Sequence, residues 1–452
     1  MESVLTFWDL VLTPLAILLV LFVSSAIRKK NLQHNPLYEF YTLGAAARIV
    51  GSISICLIYT YYYQGGDTIN YYTTSKNLIG LFGKEKSVFF DVLFGNSSKE
   101  NLSFFDDETG YPFFWDDKNA LFVARFITPI CMLAGKSFLA TSVLIGWVCY
   151  TGMWRMYLLF VEQFPTLKRE LAFAILFAPS VVFWGSGILK DTITISCVGW
   201  YSYGVYRYFI QKRYSKVKYL VAVFVASYLL IAIKPYILFA LLPGSILWLS
   251  YSSFSKIRSR FFKLFAAPLL IVIAFSAGFF LLQQLGSALG TYSLDKVMNQ
   301  AVIVQQDMKQ DYYQGNTFDI GVVDASIGGL LSKAHLAIIA TLFRPFLWDV
   351  KNPVMFLSAL ENTYILGLTI FLLIRLRIFG FFALIGKHPL LIFSLMFSLF
   401  FAFSVGISIS NFGALVRLKI PCIPFFLSSM FILKFYYDKG RGKSMKELIR
   451  TS

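Results

Sequence analysis

Acid–base chemistry at a membrane surface needs an ionisable side chain held where the chain leaves the apolar phase, and Asp67 is placed that way. It lies in Gln64-Gly65-Gly66-Asp67-Thr68-Ile69-Asn70-Tyr71-Tyr72, directly after the apolar run from Ile49 to Tyr63. A carboxylate there can take the proton of a weak nucleophile such as a hydroxyl. The same residues also read as a turn, with Gly65-Gly66 ending one helix and Asp67 capping the next. Asp106, Asp107 and Asp116 follow in the same polar segment and are candidates for a second carboxylate. Four cations stand at the ends of later apolar runs. They are Lys190 in the turn Trp184 to Asp191, Lys234 before Pro235, Arg344 before Pro345, and Arg417. Together they suit an anionic leaving group, because positive side chains stabilise charge that develops on a departing phosphate. An isolated lysine such as Lys190 is also accounted for by snorkelling to lipid phosphate. Asp191, Glu361 and Asn362 are further polar groups in or beside apolar runs, where ionisable side chains face a cavity or each other.

The elements that must position these residues are membrane spans. Of 452 residues, 57% are hydrophobic and only 14% charged, which excludes an ordinary soluble domain. The pattern predicts an all-α polytopic integral membrane protein with about eleven transmembrane helices, each needing about 20 apolar residues, and two external loops carrying surface or re-entrant helices. Spans are read at 6–27, 42–63, 138–160, 171–188, 191–209, 219–233, 236–252, 263–284, 353–374, 389–408 and 415–436. The first is too long for a signal-peptide core and no cleavage site follows it. Arg28-Lys29-Lys30, the Arg207 to Lys218 segment and the tail with Lys439, Arg441 and Lys443 are basic, which places them in the cytoplasm. The N-terminus and the segments 64–118 and 285–333 are then external and the C-terminus internal, in a plasma (inner) membrane. Segment 119–135, interrupted by Arg125 and Pro129, reads as a helix on the outer surface, and 335–348 as a re-entrant or surface segment. Three portions follow: an additional N-terminal helix and cytoplasmic loop (1–41), a core (42–284) and a C-terminal portion (285–452).

Other chemistries find little support. The five cysteines lie in apolar runs without CxxC or metal spacing and read as small core residues. His335 and His388 are isolated and have no partner at metal-ligand spacing. No phosphate-binding glycine loop, dinucleotide fingerprint or nucleophile elbow occurs, which argues against an energy-coupled pump. The net charge of +17 reports orientation through short basic loops and calls for no nucleic acid. No organic cofactor is indicated, although the Asp106-Asp107 carboxylates leave a divalent metal possible.

The order of parts (a span, an acid at its external end, a long external loop with surface helices, then a run of spans) resembles the GT-C class of membrane glycosyltransferases, of the bacterial surface-polysaccharide type. The likeness covers most of 42–436 and is carried by Pro179-Ser180, the Trp184 to Asp191 turn, the basic loop to Lys218, Lys234-Pro235-Tyr236, Arg344 to Trp348, Glu361-Asn362 and Arg417. It implies transfer of a sugar from a polyprenyl-phosphate-linked donor to a glycan or lipid acceptor at the external face. Asp67 would act as base and Lys234, Arg344 and Arg417 would meet the donor phosphate. A single Asp67 stands where many members have paired acids, and one additional span precedes the core. A polymerase acting on polyprenyl-linked oligosaccharides fits the same features. A transporter or flippase would instead show duplicated halves or helices broken at matching positions. A scaffold with adhesive acid- and tyrosine-rich loops is the remaining alternative.

Overall fold

Inside a bilayer each backbone N–H and C=O needs a partner within the segment, so long apolar runs fold as helices. The computed structural model describes residues 4–213, 216–255, 317–321 and 326–440, together with positions 303 and 307. Among them no strand forms, and one isolated antiparallel bridge joins Thr317 to Asn411. In chain order the helices are α1 (Phe7–Leu32), α2 (Tyr41–Leu57), α3 (Asp67–Lys84), α4 (Lys86–Leu93), α5 (Lys99–Leu102), α6 (Lys118–Leu133) and α7 (Phe138–Val161). They continue with α8 (Lys168–Ala172), α9 (Pro179–Trp184), α10 (Lys190–Val205), α11 (Lys218–Ile233) and α12 (Pro235–Ser255). The last six are α13 (Ile327–Ser332), α14 (Ala334–Phe343), α15 (Pro353–Ile385), α16 (Pro389–Ser408), α17 (Phe412–Leu418) and α18 (Ile423–Lys439).

This is an all-α, membrane-embedded chain. Among the described residues five helical segments are long and apolar enough to cross a membrane: Phe7–Leu32, Pro36–Tyr62, Phe138–Val161, Met355–Ile385 and Pro389–Ser408. A sixth arises if α17 and α18, bent by 68° at their junction, count as one span. The run read as one span at 171–188 is instead broken. α8 passes into a π-helical turn, Phe173–Phe177, and Ala178 is extended because the residue before a proline is steered away from helical geometry. The short α9 follows and ends at Gly185. Segment 119–135 folds as α6, and the apolar run after His335 is α14, which stops at Arg344-Pro345. The span read at 263–284, most of 285–333 and the tail beyond 440 lie outside the described residues.

The chain divides into two units. The first comprises Met1–Leu159, Val181–Tyr203 and Val221–Lys234. Its helices touch at glycines. A Cβ added to Gly44 would lie 2.4 Å from the Tyr150 hydroxyl, so the tyrosine of α7 seats on the bare backbone of α2, and one on Gly152 would lie 2.1 Å from Ser196 O, so α7 and α10 pack backbone to backbone. Asp9 ties α1 to this group: its Oδ1 accepts from Ser137 Oγ at 2.6 Å and Leu139 N at 3.0 Å, capping α7 from another helix. Phe7, Trp8, Leu10, Leu18 and Phe22 stay exposed on α1, a face suited to lipid. Beyond α2, α3 packs on α6, and with α4 they enclose Leu78, Leu81, Phe89, Phe105, Trp115 and Leu121.

The second unit comprises Phe160–Ser180, Gly204–Leu220 and Pro235–Ser452. Its α12 and α14 pack on α16; Thr341 Oγ1 reaches Ala402 O at 2.8 Å, and a Cβ on Gly406 would meet Ala337 O at 2.2 Å. A ladder of rings, Trp248 on Phe393 and Phe393 on Phe425, joins α12, α16 and α18.

Candidate functional site

In the first unit, helix ends bring together four of the charges singled out above, Asp67, Lys190, Asp191 and Lys234. α2 continues through a π-helical turn, Ile58–Tyr62, and the chain then reverses through Gln64, Gly65 and Gly66, with φ of 53°, 154° and 105°. Glycine accepts such angles without strain. Asp67 is the first residue of α3 and half-buried. Asp117 caps α6: its Oδ1 accepts from Asn119 N at 3.0 Å and Ala120 N at 2.9 Å. Its other oxygen lies 3.6 Å from Lys190 Nζ at the start of α10. Lys190 also feels the charges of Asp67 and Lys234. Its ammonium stands 5.9 Å from the Tyr71 ring, which Phe114 backs at 4.7 Å. Burial is the largest influence on Lys190 and holds its pKa below the ordinary lysine value. Asp117 and Asp67 oppose that shift, and Lys234 adds to it.

Lys234 ends α11 and donates to Asp191 Oδ1 at 2.5 Å, both side chains being almost wholly buried. Asn119 Nδ2 reaches Ile233 O at 3.3 Å and so ties the start of α6 to the end of α11. The starts of α3, α6 and α10 and the end of α11 therefore share one neighbourhood containing Asp67, Asp117, Lys190, Asp191 and Lys234. Helix N-termini carry partial positive charge, which favours anions nearby. A half-buried carboxylate beside a partly desolvated ammonium can hold a hydroxyl and a phosphate side by side.

The other acids of the loop lie apart from this arrangement. Asp106 takes Lys84 as partner and accepts from the Glu108 and Thr109 amides in a tight turn. Lys84 is the main reason why its carboxyl is pushed down to about 2. Asp107 and Asp116 are exposed. Among the described residues no group of three or more His, Cys, Asp or Glu is arranged to hold a metal. In the same loop, Trp115 is buried against Phe105, and the Tyr72 hydroxyl donates to Lys136 O at 2.6 Å. All five cysteines are buried free thiols.

The second unit gathers Arg344, Glu361 and Asn362 around the Arg344-Pro345 turn. Arg344 forks onto Asp349 with Nε to Oδ2 at 3.0 Å and Nη2 to Oδ1 at 2.9 Å, a bidentate match of planar groups. The rings of Phe318, Phe346 and Phe412 lie 4.9–5.7 Å from its guanidinium. Lys419, at the bend between α17 and α18, donates to Arg344 O at 3.0 Å and Asn362 Oδ1 at 2.6 Å, and Asn362 Nδ2 reaches Pro345 O at 3.2 Å. Glu361 accepts from Ser180 N at 2.7 Å and Ser180 Oγ at 2.6 Å. Arg417, half-buried, lies in the last turn of α17. The polar groups here clamp a turn.

Sequence reasoning passed over Asp117, Asp349 and Lys419. Asp117 had a visible signal, an N-cap residue immediately before a helical run. Comparison with known protein families, characterised proteins and solved structures finds no match.

Proposed function

We propose that this chain is a membrane glycosyltransferase that moves a sugar from a polyprenyl-phosphate-linked donor to an acceptor hydroxyl at the external face of the plasma membrane. The observation that carries the reading is the meeting of Asp67, Asp117 and Lys190 at helix ends beside a span. Asp67 takes the proton of the acceptor hydroxyl as its oxygen bonds to the anomeric carbon. The bond from that carbon to the phosphate oxygen breaks, and the phosphate leaves with the electron pair. Lys190 meets the developing charge, with the N-termini of α6 and α10 adding to the positive field. Lys234, committed to Asp191, fixes the end of α11. In this reading α3 to α6 lie outside and the lipid-linked donor enters from the bilayer.

The test is Asp67→Asn and Lys190→Met in full-length protein, with glycan product and membrane abundance measured on the same samples. Asp67→Asn keeps the shape of the turn and removes the base, so product falls by about 10²–10⁴ at normal abundance. Normal product from both variants at normal abundance refutes the assignment.

A further inference from the structure

A charge inside an apolar span is costly, and one that persists there usually has a task. Arg48 is such a charge. It lies in the middle of α2, within the segment Pro36–Tyr62, and only 1% of it is exposed. Its Nη1 donates to Val181 O at 2.6 Å and Gly185 O at 3.0 Å. The Val181 carbonyl lies in α9 and also accepts from Gly185 N at 3.0 Å, and the Gly185 carbonyl directly follows the helix end, where the dipole favours a cation. Its Nε and Nη2 meet no acceptor among the described residues, so the two carbonyls are the contacts that the charge makes.

What Arg48 grips is the start of the break between α9 and α10. The chain runs from Gly185 through Ser186, Gly187, Ile188 and Leu189 and restarts as a helix at Lys190. Gly187 has φ 75°, and a Cβ there would lie 2.7 Å from Ser142 Oγ. A Cβ on Gly185 would come within 2.8 Å of Arg48 Nη1, and one on Gly51 within 2.2 Å of Val182 O. The bare backbone that lets this turn fit between α2 and α7 also leaves it few side chains to hold its shape. We propose that Arg48 is a positioning residue: by fastening the end of α9 it fixes the broken turn and so holds Lys190 at the meeting point of the helix ends. The ligand that Lys190 meets rests on the glycosyltransferase reading; the grip on the turn does not.

The experiment uses the full-length protein in lipid nanodiscs, with farnesyl phosphate as the probe. Amide exchange is followed over 181–192, and farnesyl phosphate affinity is measured in Arg48→Met, Arg48→Lys and Arg155→Met. Arg48→Met speeds exchange across Gly185 to Asp191 and weakens binding about tenfold or more through the two lost charge-assisted bonds. Arg48→Lys restores both to within about threefold, because an ammonium can donate to two carbonyls. Arg155→Met removes a cation stacked on Trp200 and Tyr203 elsewhere in the same unit and changes neither. Should Arg48→Met not accumulate, Arg48→Gln keeps one donor group and is read in the same two ways. Faster exchange with unchanged affinity overturns the proposal, as does a lysine variant no better than methionine. If the wild-type protein fails to bind farnesyl phosphate, the donor reading falls; exchange in Arg48→Met then decides by itself whether Arg48 holds the turn.

Discussion

Removing the ammonium of Lys234 while leaving Asp191 in place separates two roles that the sequence allows for this lysine. The pair is nearly dry, with 9% of the Lys234 side chain and 1% of the Asp191 side chain exposed and the charged atoms 2.5 Å apart. Lys234→Met strands a buried carboxylate without this cation, a loss of about 3–5 kcal/mol for a broken buried pair. Replacing both partners, Lys234→Met with Asp191→Leu, takes away the stranded charge as well. What remains is the lost carboxylate at the start of α10, about 0.3–1 kcal/mol. The second substitution therefore restores roughly 2–4 kcal/mol to the first. Thermal unfolding of the detergent-solubilised single and double variants reads this directly. A double variant no more stable than Lys234→Met refutes the reasoning. The same proteins decide the functional question: if the double variant regains farnesyl phosphate binding, Lys234 acts through its pair, and if it folds without binding, Lys234 touches the phosphate itself.

Arg344→Lys keeps the charge but loses the planar fork on Asp349, and should lower stability by roughly 1–3 kcal/mol in the same unfolding assay. Gly187→Ala meets both a positive φ and Ser142 Oγ, so it should lower membrane abundance and cost at least about 1 kcal/mol, whereas Gly83→Ala, with open space around it, should not. The Asp106 carboxyl, lowered from 3.8 to about 2 mainly by Lys84, makes a contribution fully present above pH 3.8 and lost as pH falls through about 2. Amide exchange at Glu108 and Thr109 should therefore rise over that window in the wild type, start high in Asp106→Asn, and rise only modestly in high salt, because the turn amides also hold the carboxylate.

Hydropathy made the long spans legible. α16 covers the same residues, 389–408, that the apolar run marks, because Pro389 opens it and the first polar turn closes it. The run 171–188 was misleading for a physical reason: its composition is apolar throughout, and only Pro179 and the glycines at 185 and 187 announce that the backbone leaves helical geometry. Asp67 and Lys190 stood out because both lie at the ends of apolar runs. Asp117 did not, because it neighbours Asp116 and has the same chemistry; which of the two turns toward Lys190 depends on the register at which α6 is capped. Lys419 becomes visible only once α17 and α18 bend and the chain folds back on Arg344, a long-range contact that leaves no local pattern, whereas Asp349 lies five residues from Arg344 and meets it through the Pro345 turn.

The hold of Asp9 on α7 has a consequence for how the chain comes into being. The carboxylate belongs to α1, yet its partner Leu139 N follows 130 residues later. At roughly 5–20 residues per second, that interval lasts on the order of ten seconds. Throughout it, α1 is in the bilayer with an acid held only locally by Thr6, its partners Ser137 and Leu139 not yet having left the ribosome. A nascent chain arrested before Ser137 should therefore hold its first helix loosely and stay open to the insertion machinery or to quality-control proteases. Arrest a few dozen residues later should close that window, so the emergence of α7 marks the moment at which the amino-terminal helix is committed to its place.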